Sequence, residues 1–333
     1  MSRFPGFPHQ GFPEGWFGIG WGDEFPPGKV VALRYFGEDL VAWRTDDGRL
    51  VVMDAYCPHM GAHLGVGGRV DGDCIVCPFH GWSWHADGHN AGIPYAKRAN
   101  SRAKIGTWSV VERGPMALIW FSWRSRQPTW DPPDFEAVAA PDVFWDPAAS
   151  RRSWSNIRVV PQMVAENIVD GPHIHFVHLA AERAHIARLE ERQSVFDVEL
   201  DQTYMARSGP VLGKDFIQSV GLGIQTARME FKDLRVINVL MTTPVEEDRS
   251  DMRASIFLTL PPGVSRPANA AELSERLQNT IKAHLDSQEQ DLPIWQAMRY
   301  QPQPLLAGEE VQGHVRFRKW AAQFYASANS QGT

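Results

Sequence analysis

Cys57-Pro-His-Met-Gly-Ala-His-Leu-Gly-Val-Gly-Gly68 is followed closely by Cys74-Ile-Val-Cys-Pro-Phe-His-Gly-Trp-Ser-Trp-His-Ala-Asp-Gly88. The first stretch carries a C-x-H pair, Cys57 and His59, and the second a C-x-x-H pair, Cys77 and His80, with seventeen residues between His59 and Cys77. Two thiolates and two imidazoles in that arrangement suit a [2Fe–2S] cluster in which histidines hold one iron, which raises the potential above that of an all-cysteine cluster. Tetrahedral zinc is the alternative for a Cys2His2 set. Zinc fingers of that set usually pair Cys with Cys and His with His and place the histidines on a helix. Here each half supplies one of each, between turn residues.

Gly61, Gly65, Gly67, Gly68, Gly72, Gly81 and Gly88, with Pro58 and Pro78, punctuate short β-type runs such as Leu50–Met53 and Cys74–Cys77. Each half therefore reads as a turn presented by a hairpin. In these residues the chain resembles the Rieske iron–sulfur domain. That resemblance implies that Cys57 and Cys77 bind one iron, and His59 and His80 the other. It gives Cys74 no role, and a buried small hydrophobe is its expected state. His63, His85 and His89 are expected in loops or beside the cluster. Strand-like runs at 29–35, 40–43 and 115–121 complete an all-β domain over residues 16–123. A Pro- and Trp-rich linker, 124–150, and a second domain, 151–333, follow.

Composition narrows the function classes. The chain has 333 residues, 43% hydrophobic and 11% aromatic, enough for two cores. A net charge of −6 with no Lys/Arg block gives no surface for nucleic-acid phosphates. No apolar run reaches the length of a transmembrane segment, and MSRFPGFPHQGFPEG lacks a signal-peptide core. A soluble, cytoplasmic protein is the expectation. Three cysteines within twenty-one residues are no secreted disulfide framework.

A cluster carrier needs only about a hundred residues, so the remaining chain must do something else. Asp170-Gly-Pro-His-Ile-His-Phe-Val-His178 places three histidines in six residues. Residues 161–170 read as helical, with Gly171-Pro172 disturbing the helix. On an ideal helix His175 and His178 are neighbours, whereas His173 and His178 stand about 140° apart. A wide i→i+5 turn would bring the latter pair together. The residues alone leave the pair open.

Asn167-x-x-Asp170-x-x-His173-x4-His178 is similar to the mononuclear iron motif of Rieske non-haem iron oxygenases. The resemblance implies His173 and His178 as iron ligands, with His175 lining the pocket or bonding to a neighbour. Asn167 is expected close beside them. Such sites add one carboxylate and keep open positions for dioxygen. Along 271–300, Leu273, Leu277, Ile281, Leu285 and Trp295 recur near helical spacing, and Asp291 projects within about 40° of that apolar face. A carboxylate there must be paired, neutralised or metal-bound. Geometry does not choose between iron and a salt bridge to Arg299 or Arg316. Glu289-Gln-Asp-Leu-Pro-Ile-Trp295 and Arg318-Lys-Trp-Ala-Ala-Gln-Phe-Tyr325 resemble the C-terminal end of the 3-ketosteroid 9α-hydroxylase and cholesterol 7-desaturase oxygenases, and there the resemblance makes Asp291 the third ligand.

The same resemblance gives Asp170 an electron-transfer role between its own His173 and His80 of a neighbouring subunit, which implies a homotrimer with head-to-tail contacts. The plainer reading of Asp170 is a helix N-cap. The implied fold is α+β: an all-β Rieske domain, then a helix-grip catalytic domain with an antiparallel sheet built from runs at 193–200, 228–231, 236–241 and 255–260 and a long C-terminal helix. The implied activity is that of a terminal oxygenase. With a [2Fe–2S] cluster, mononuclear Fe(II) and O2, it hydroxylates a bulky hydrophobic substrate, a steroid or related polycyclic terpenoid. Desaturation, demethylation or aromatic-ring oxygenation by the same machinery is the alternative, and an electron carrier with an inactive second site is a third reading. No further ferredoxin motif and no strand-linked G-x-G-x-x-G is present, so NAD(P)H must act through a separate reductase.

Overall fold

The computed structural model describes residues 3–326 except 126, 134, 136–141, 207–208, 232–233, 261–262 and 264–265. Part of the stretch read as a linker, and the last seven residues of the second domain, therefore lie outside the described residues. Two compact units are present, Trp16–Pro132 and Met1–Gly15 with Pro133–Thr333.

The first unit is built from short strands: β1 (Gly15–Trp21), β2 (Val31–Tyr35), β3 (Glu38–Arg44), β4 (Leu50–Asp54), β5 (Arg69–Asp71), β6 (Cys74–Val76), β7 (Ser83–His85), β8 (Asn90–Gly92), β9 (Thr107–Trp108), β10 (Val110–Arg113) and β11 (Met116–Phe121). They form three small sheets, β1-β11-β10, β2-β3-β4-β9 and β5-β6-β7-β8. β3 and β4 are buried along most of their length because Val41, Trp43, Val51 and Met53 pack into one core with Ile75 and Trp84. That core encloses Cys57 and Cys77.

The second unit carries β12 (Val143–Phe144), β13 (Arg151–Ile157), β14 (His185–Arg192), β15 (Val195–Ala206), β16 (Gly209–Val220), β17 (Ile224–Glu230), β18 (Arg235–Glu246) and β19 (Arg249–Thr259). They make one sheet in the order β12-β19-β18-β17-β16-β15-β14, with β13 also paired to β19. All these pairs are antiparallel. The helices are α1 (Pro161–Glu166), α2 (Gly171–Phe176), α3 (Glu275–Ala297) and α4 (Glu310–Ala321). α3 lies against β13 and β19 and buries Leu277, Ile281, Leu285, Asp291, Leu292 and Trp295. A long helix laid on an antiparallel sheet is the α+β arrangement expected. The N-terminal residues belong to this unit: the Tyr300 N–H donates to the Pro5 carbonyl at 3.1 Å, and the Phe7 ring meets Tyr300 edge-on at 5.0 Å. Among the described residues no helix is long and apolar enough to cross a membrane.

Candidate functional site

The two cysteine loops of the first unit share one hydrogen-bond plan. Cys57 N–H donates to the Ala62 carbonyl at 2.9 Å while its own carbonyl accepts from Gly61 N–H at 2.8 Å. Cys77 N–H donates to the Trp82 carbonyl at 2.8 Å, and its carbonyl accepts from Gly81 N–H at 3.1 Å. Gly81 is required here, since its φ is +71° and a Cβ would sit 2.9 Å from Pro94 Cγ. The loops bring the His59 and His80 rings to 4.7 Å between centroids, with His59 stacked on Trp82 at 4.5 Å. Both cysteines are buried, and their thiols lie within hydrogen-bond reach of one another. Burial pushes the Cys57 thiol up to about 11, and the neighbouring Cys77 adds to the rise against the backbone hydrogen bond at His59. His80 Nδ1 is buried without a hydrogen-bond partner. A buried imidazole nitrogen without a partner, in the same loop as the buried Cys77, fits a bound iron–sulfur cluster. Cys74 lies outside this group. It is half-buried on β6 rather than enclosed, with its Sγ 3.5 Å from His85 Nδ1. His63 accepts from the Gly65 N–H, and His89 faces Asp87.

In the second unit the helix does not continue through Asp170. α1 ends at Glu166, a 3-10 turn covers Asn167–Val169, and Asp170 leaves the helical region at φ −104°, ψ +77°. Asp170 then caps α2, its Oδ1 accepting from His173 N–H at 3.3 Å. Gly171 and Pro172 open α2, where no intrahelical N–H bond is needed. Gly171 is fixed by crowding, because a Cβ there would lie 2.2 Å from the Ala184 carbonyl oxygen. The i→i+5 turn that would have brought His173 and His178 together is not found among the described residues. Instead α2 stops at Phe176, Val177 N–H bonds to the His173 carbonyl, and Leu179 turns to φ +57°. His178 therefore sits off the helix, and its ring lies 5.2 Å from that of His173. His175 faces elsewhere, its Nδ1 2.7 Å from the Ala180 carbonyl.

His173, His178 and Asp291 form a cluster whose candidate ligand atoms all lie within 4.8 Å of one another. Asp291 is buried, with Oδ2 3.5 Å from His178 Nε2; Arg316, one of the two arginines considered for it, approaches Glu191 instead. The His173 Nδ1 contacts the Asp170 backbone carbonyl, with the Asp170 carboxylate Oδ1 farther off at 4.0 Å, which leaves Nε2 for a metal. Two imidazoles and one carboxylate on one side of a cavity are a donor set that fits Fe(II) with open positions.

A Rieske [2Fe-2S] domain profile matches residues 15–109, and the 3-ketosteroid 9alpha-hydroxylase C-terminal domain profile matches residues 119–325. The chain belongs to that family. It is the oxygenase component of a Rieske non-haem iron monooxygenase, which implies a [2Fe–2S] cluster, a mononuclear iron, O2 and electrons from a separate reductase. A cholesterol 7-desaturase of Xenopus laevis is 29% identical over 97% of the chain and 74% of the relative. A probable 3-ketosteroid-9-alpha-monooxygenase oxygenase component of Rhodococcus rhodochrous is 28% identical over 96% and 82%. Among solved structures, Pseudomonas putida CBB5 NdmA with caffeine aligns at TM-score 0.74 with 17% identity, covering 92% of this chain and 89% of that one. Dicamba monooxygenase bound to dicamba aligns at 0.71 with 14% identity over 93% and 96%. These two show the fold alone.

In this oxygenase the group of His173, His178 and Asp291 lies on the wall of a cavity of about 520 Å³. Val164, Ile168, Ile174, Leu240 and Trp295 supply apolar surface, and Asn167 also lines it. Two groups beside the cluster have no role in the sequence reading. Gln290, which precedes Asp291, has Oε1 2.9 Å from His178 Nδ1. By accepting that N–H it turns Nε2 toward Asp291. Burial lowers the His178 pKa, but hydrogen bonds with Asp291 and Gln290 and the Asp291 charge outweigh it, and the net shift is upward. Gln290→Leu is expected to weaken Co(II) or Fe(II) binding to the second unit by roughly tenfold; unchanged affinity would remove this role. Glu166, also buried, is held by His314 Nδ1 at 2.9 Å and Arg318 Nε at 2.5 Å, which ties the end of α1 to α4.

Farther along the cavity wall the Tyr204 hydroxyl donates to Asp215. Burial pushes the Asp215 carboxyl up to about 6, against that hydrogen bond, which lowers it. The folded protein therefore keeps this proton at pH values where the unfolded chain has already lost it. Stability falls as pH rises from the ordinary carboxylate value through about 6. Asp215→Asn, which can still accept from Tyr204, is expected to gain on the order of 2 to 3 kcal/mol near pH 7.5 and almost nothing near pH 4. Denaturant unfolding at both pH values checks this, and an equal gain at both would place the effect elsewhere.

Proposed function

We propose that this oxygenase hydroxylates a bulky hydrophobic polycycle, a steroid or related polycyclic terpenoid, with the iron held by His173, His178 and Asp291. The observation that carries the proposal is the position of that trio on the wall of a largely apolar cavity of about 520 Å³. The names of the relatives, which cite 3-ketosteroids and cholesterol, support a steroid. Bound iron would supply activation of dioxygen at its open positions, so that one oxygen atom enters a C–H bond and the other leaves as water. Cys57, Cys77, His59 and His80 are the proposed holders of the [2Fe–2S] cluster that delivers the electrons.

The protein's own contributions are positional. Gln290 fixes His178, the Asp170 carbonyl fixes His173, and Val164, Ile168 and Trp295 keep water from the reacting end of the cavity. The Asp170 carboxylate is the proposed bridge to His80 of the partner subunit, in a homotrimer fed by a separate reductase that draws on NAD(P)H. The proposed location is the cytoplasm, in keeping with the unpaired thiol of Cys74.

The test is iron content together with coupled oxygen uptake. Three irons per chain are expected. With a reductase and NADH, steroids or sterols are expected to stimulate uptake matched by hydroxylated product. Two irons per chain would reduce the molecule to an electron carrier. Coupled product from aromatic acids or methoxyarenes alone would overturn the substrate.

A further inference from the structure

We propose that His284 and Gln288, on the face of α3 that lines the cavity, hold a neutral oxygen substituent of the substrate, carbonyl or hydroxyl, and so determine which carbon reaches the iron-binding end. The inference rests on the steroid-type reading above and adds two recognition residues to it.

Helical spacing puts both residues on one stripe with Asp291. α3 lines the cavity with His284, Ser287, Gln288, Asp291 and Trp295, which are positions i, i+3, i+4, i+7 and i+11 of one helix face. At 100° per residue His284 projects within about 20° of Asp291, and at 1.5 Å per residue it stands roughly 10 Å away along the axis. Gln288 is one turn from His284, close enough for the two side chains to reach one ligand atom.

Other polar side chains of the wall are spent on neighbours. Ser287 Oγ donates to the His284 carbonyl at 2.9 Å, Thr203 Oγ1 donates to Glu182 at 2.9 Å, and the Tyr204 hydroxyl donates to Asp215. The side chains of His284 and Gln288 have no hydrogen-bond partner among the described residues. Neither is among the polar side chains that are sealed from solvent without a partner, as His80 is at Nδ1. Their polar atoms therefore keep accessible surface, and both residues are half-buried. Burial is still deep enough to push the His284 imidazole down to about 4. The open surface of His284 thus belongs to the cavity rather than to the outside of the protein. Near pH 7 the ring is neutral, with one N–H and one unprotonated nitrogen.

Two neutral side chains that each carry a donor and an acceptor suit a neutral oxygen. A carbonyl would accept from both N–H groups, and a hydroxyl would accept from one residue and donate to the other. A carboxylate finds no lysine or arginine among the described residues of the wall, and would have to be matched by a proton on an imidazole that its surroundings keep neutral. A plain hydrocarbon would strip both groups of water and return no hydrogen bond. With its oxygen held at His284, a rigid polycycle presents to the Asp291 end a carbon well removed from the one that carries oxygen.

The experiment is equilibrium dialysis with the metal-loaded protein under anaerobic conditions. 5α-Androstane-3,17-dione is compared with 5α-androstan-3-one and 5α-androstan-17-one, each of which lacks one carbonyl. At least one monoketone is expected to bind about tenfold more weakly than the dione. His284→Phe, which keeps an aromatic ring but removes both nitrogens, should abolish that difference, and His284→Gln, which returns a donor and an acceptor, should keep it. A change that only loosened packing would weaken all three steroids alike. If neither monoketone binds more weakly than the dione, or if the difference persists in His284→Phe, the proposed contact is overturned and the steroid reading stands. If no steroid binds, camphor is the probe. Camphor binding that falls about tenfold in His284→Phe and is kept in His284→Gln upholds the contact while the steroid reading fails. Camphor that binds parent and His284→Phe equally, or binds neither, overturns both.

Discussion

Asp170→Asn is expected to keep three irons per chain and yet lose substrate-coupled turnover by about a hundredfold or more. The substitution separates two roles of one side chain. As the N-cap of α2, Asp170 accepts from His173 N–H at 3.3 Å, and asparagine caps a helix as well as aspartate does. The closer contact to the His173 ring comes from the Asp170 backbone carbonyl and survives any change of side chain, the carboxylate Oδ1 lying 4.0 Å from the same nitrogen. The start of α2, the His173 orientation and the metal cluster are therefore retained in the variant. What is lost is a carboxylate whose side chain remains 29% exposed, open to an imidazole N–H from outside the chain. In the proposed trimer that donor is His80 of the partner subunit. If capping were the whole role, Asp170→Asn would turn over normally. The measurements are iron per chain, reduction of the cluster by dithionite, and product formed per turnover. Full activity in the variant removes the bridge, whereas loss of iron would mean that the substitution had disturbed the metal cluster itself. Asp170→Ala gives the contrast, because it should also lose about 1 kcal/mol of stability with the cap.

How much of this could be read from the residues alone depended on distance along the chain. The placement of Cys57 with His59 and of Cys77 with His80 was legible because each pair lies inside one tight loop, and the turn residues that shape the loops surround them. Asp291 was half legible: its place on the apolar face of α3 follows from helical periodicity, but its partner does not, because His178 sits on a different element. For His173 and His178 periodicity pointed the wrong way, since an unbroken helix would have made His175 the neighbour of His178. The reason is local. The chain breaks at Asp170, restarts for six residues and breaks again before Leu179 at φ +57°, so helical spacing never applies across the pair. Residues joined only by tertiary packing left no signal. The Asp215 hydrogen bond to Tyr204 joins β16 to β15, and the hold of His314 and Arg318 on Glu166 joins α4 to α1. Each of these side chains is, in the sequence, an ordinary polar residue. Gln290 is a milder case: it lies between two residues that were singled out, and only the direction of its side chain shows its use.

Asp291→Ala is expected to leave two irons per chain, a reducible cluster and no detectable hydroxylation. The carboxylate is 6% exposed on a helix face otherwise made of Leu277, Ile281, Leu285 and Trp295. An ionised group in such surroundings is tolerated only when something cationic or a metal answers it. In the absence of metal that answer is His178 Nε2 at 3.5 Å. This arrangement makes the consequence for stability distinctive. Were Asp291 present to anchor α3 through an ion pair, breaking the buried pair would destabilise the protein by several kcal/mol with or without iron. As a metal ligand, its removal relieves a buried carboxylate, so the apo protein should be no less stable than the apo parent. The iron-dependent stabilisation, in contrast, should vanish, because binding free energy adds to folding free energy only where the site is complete. Thermal unfolding of parent and variant, each with and without added Fe(II) under anaerobic conditions, distinguishes the two. A variant that loses stability equally in both states, or that still binds a third iron tightly, would remove Asp291 from the metal site. Asp291→Asn sharpens the comparison, since the amide keeps the shape of the carboxylate and one acceptor oxygen but lacks the negative charge that a hard divalent cation requires. It should follow the alanine variant in iron content while matching the parent in apo stability.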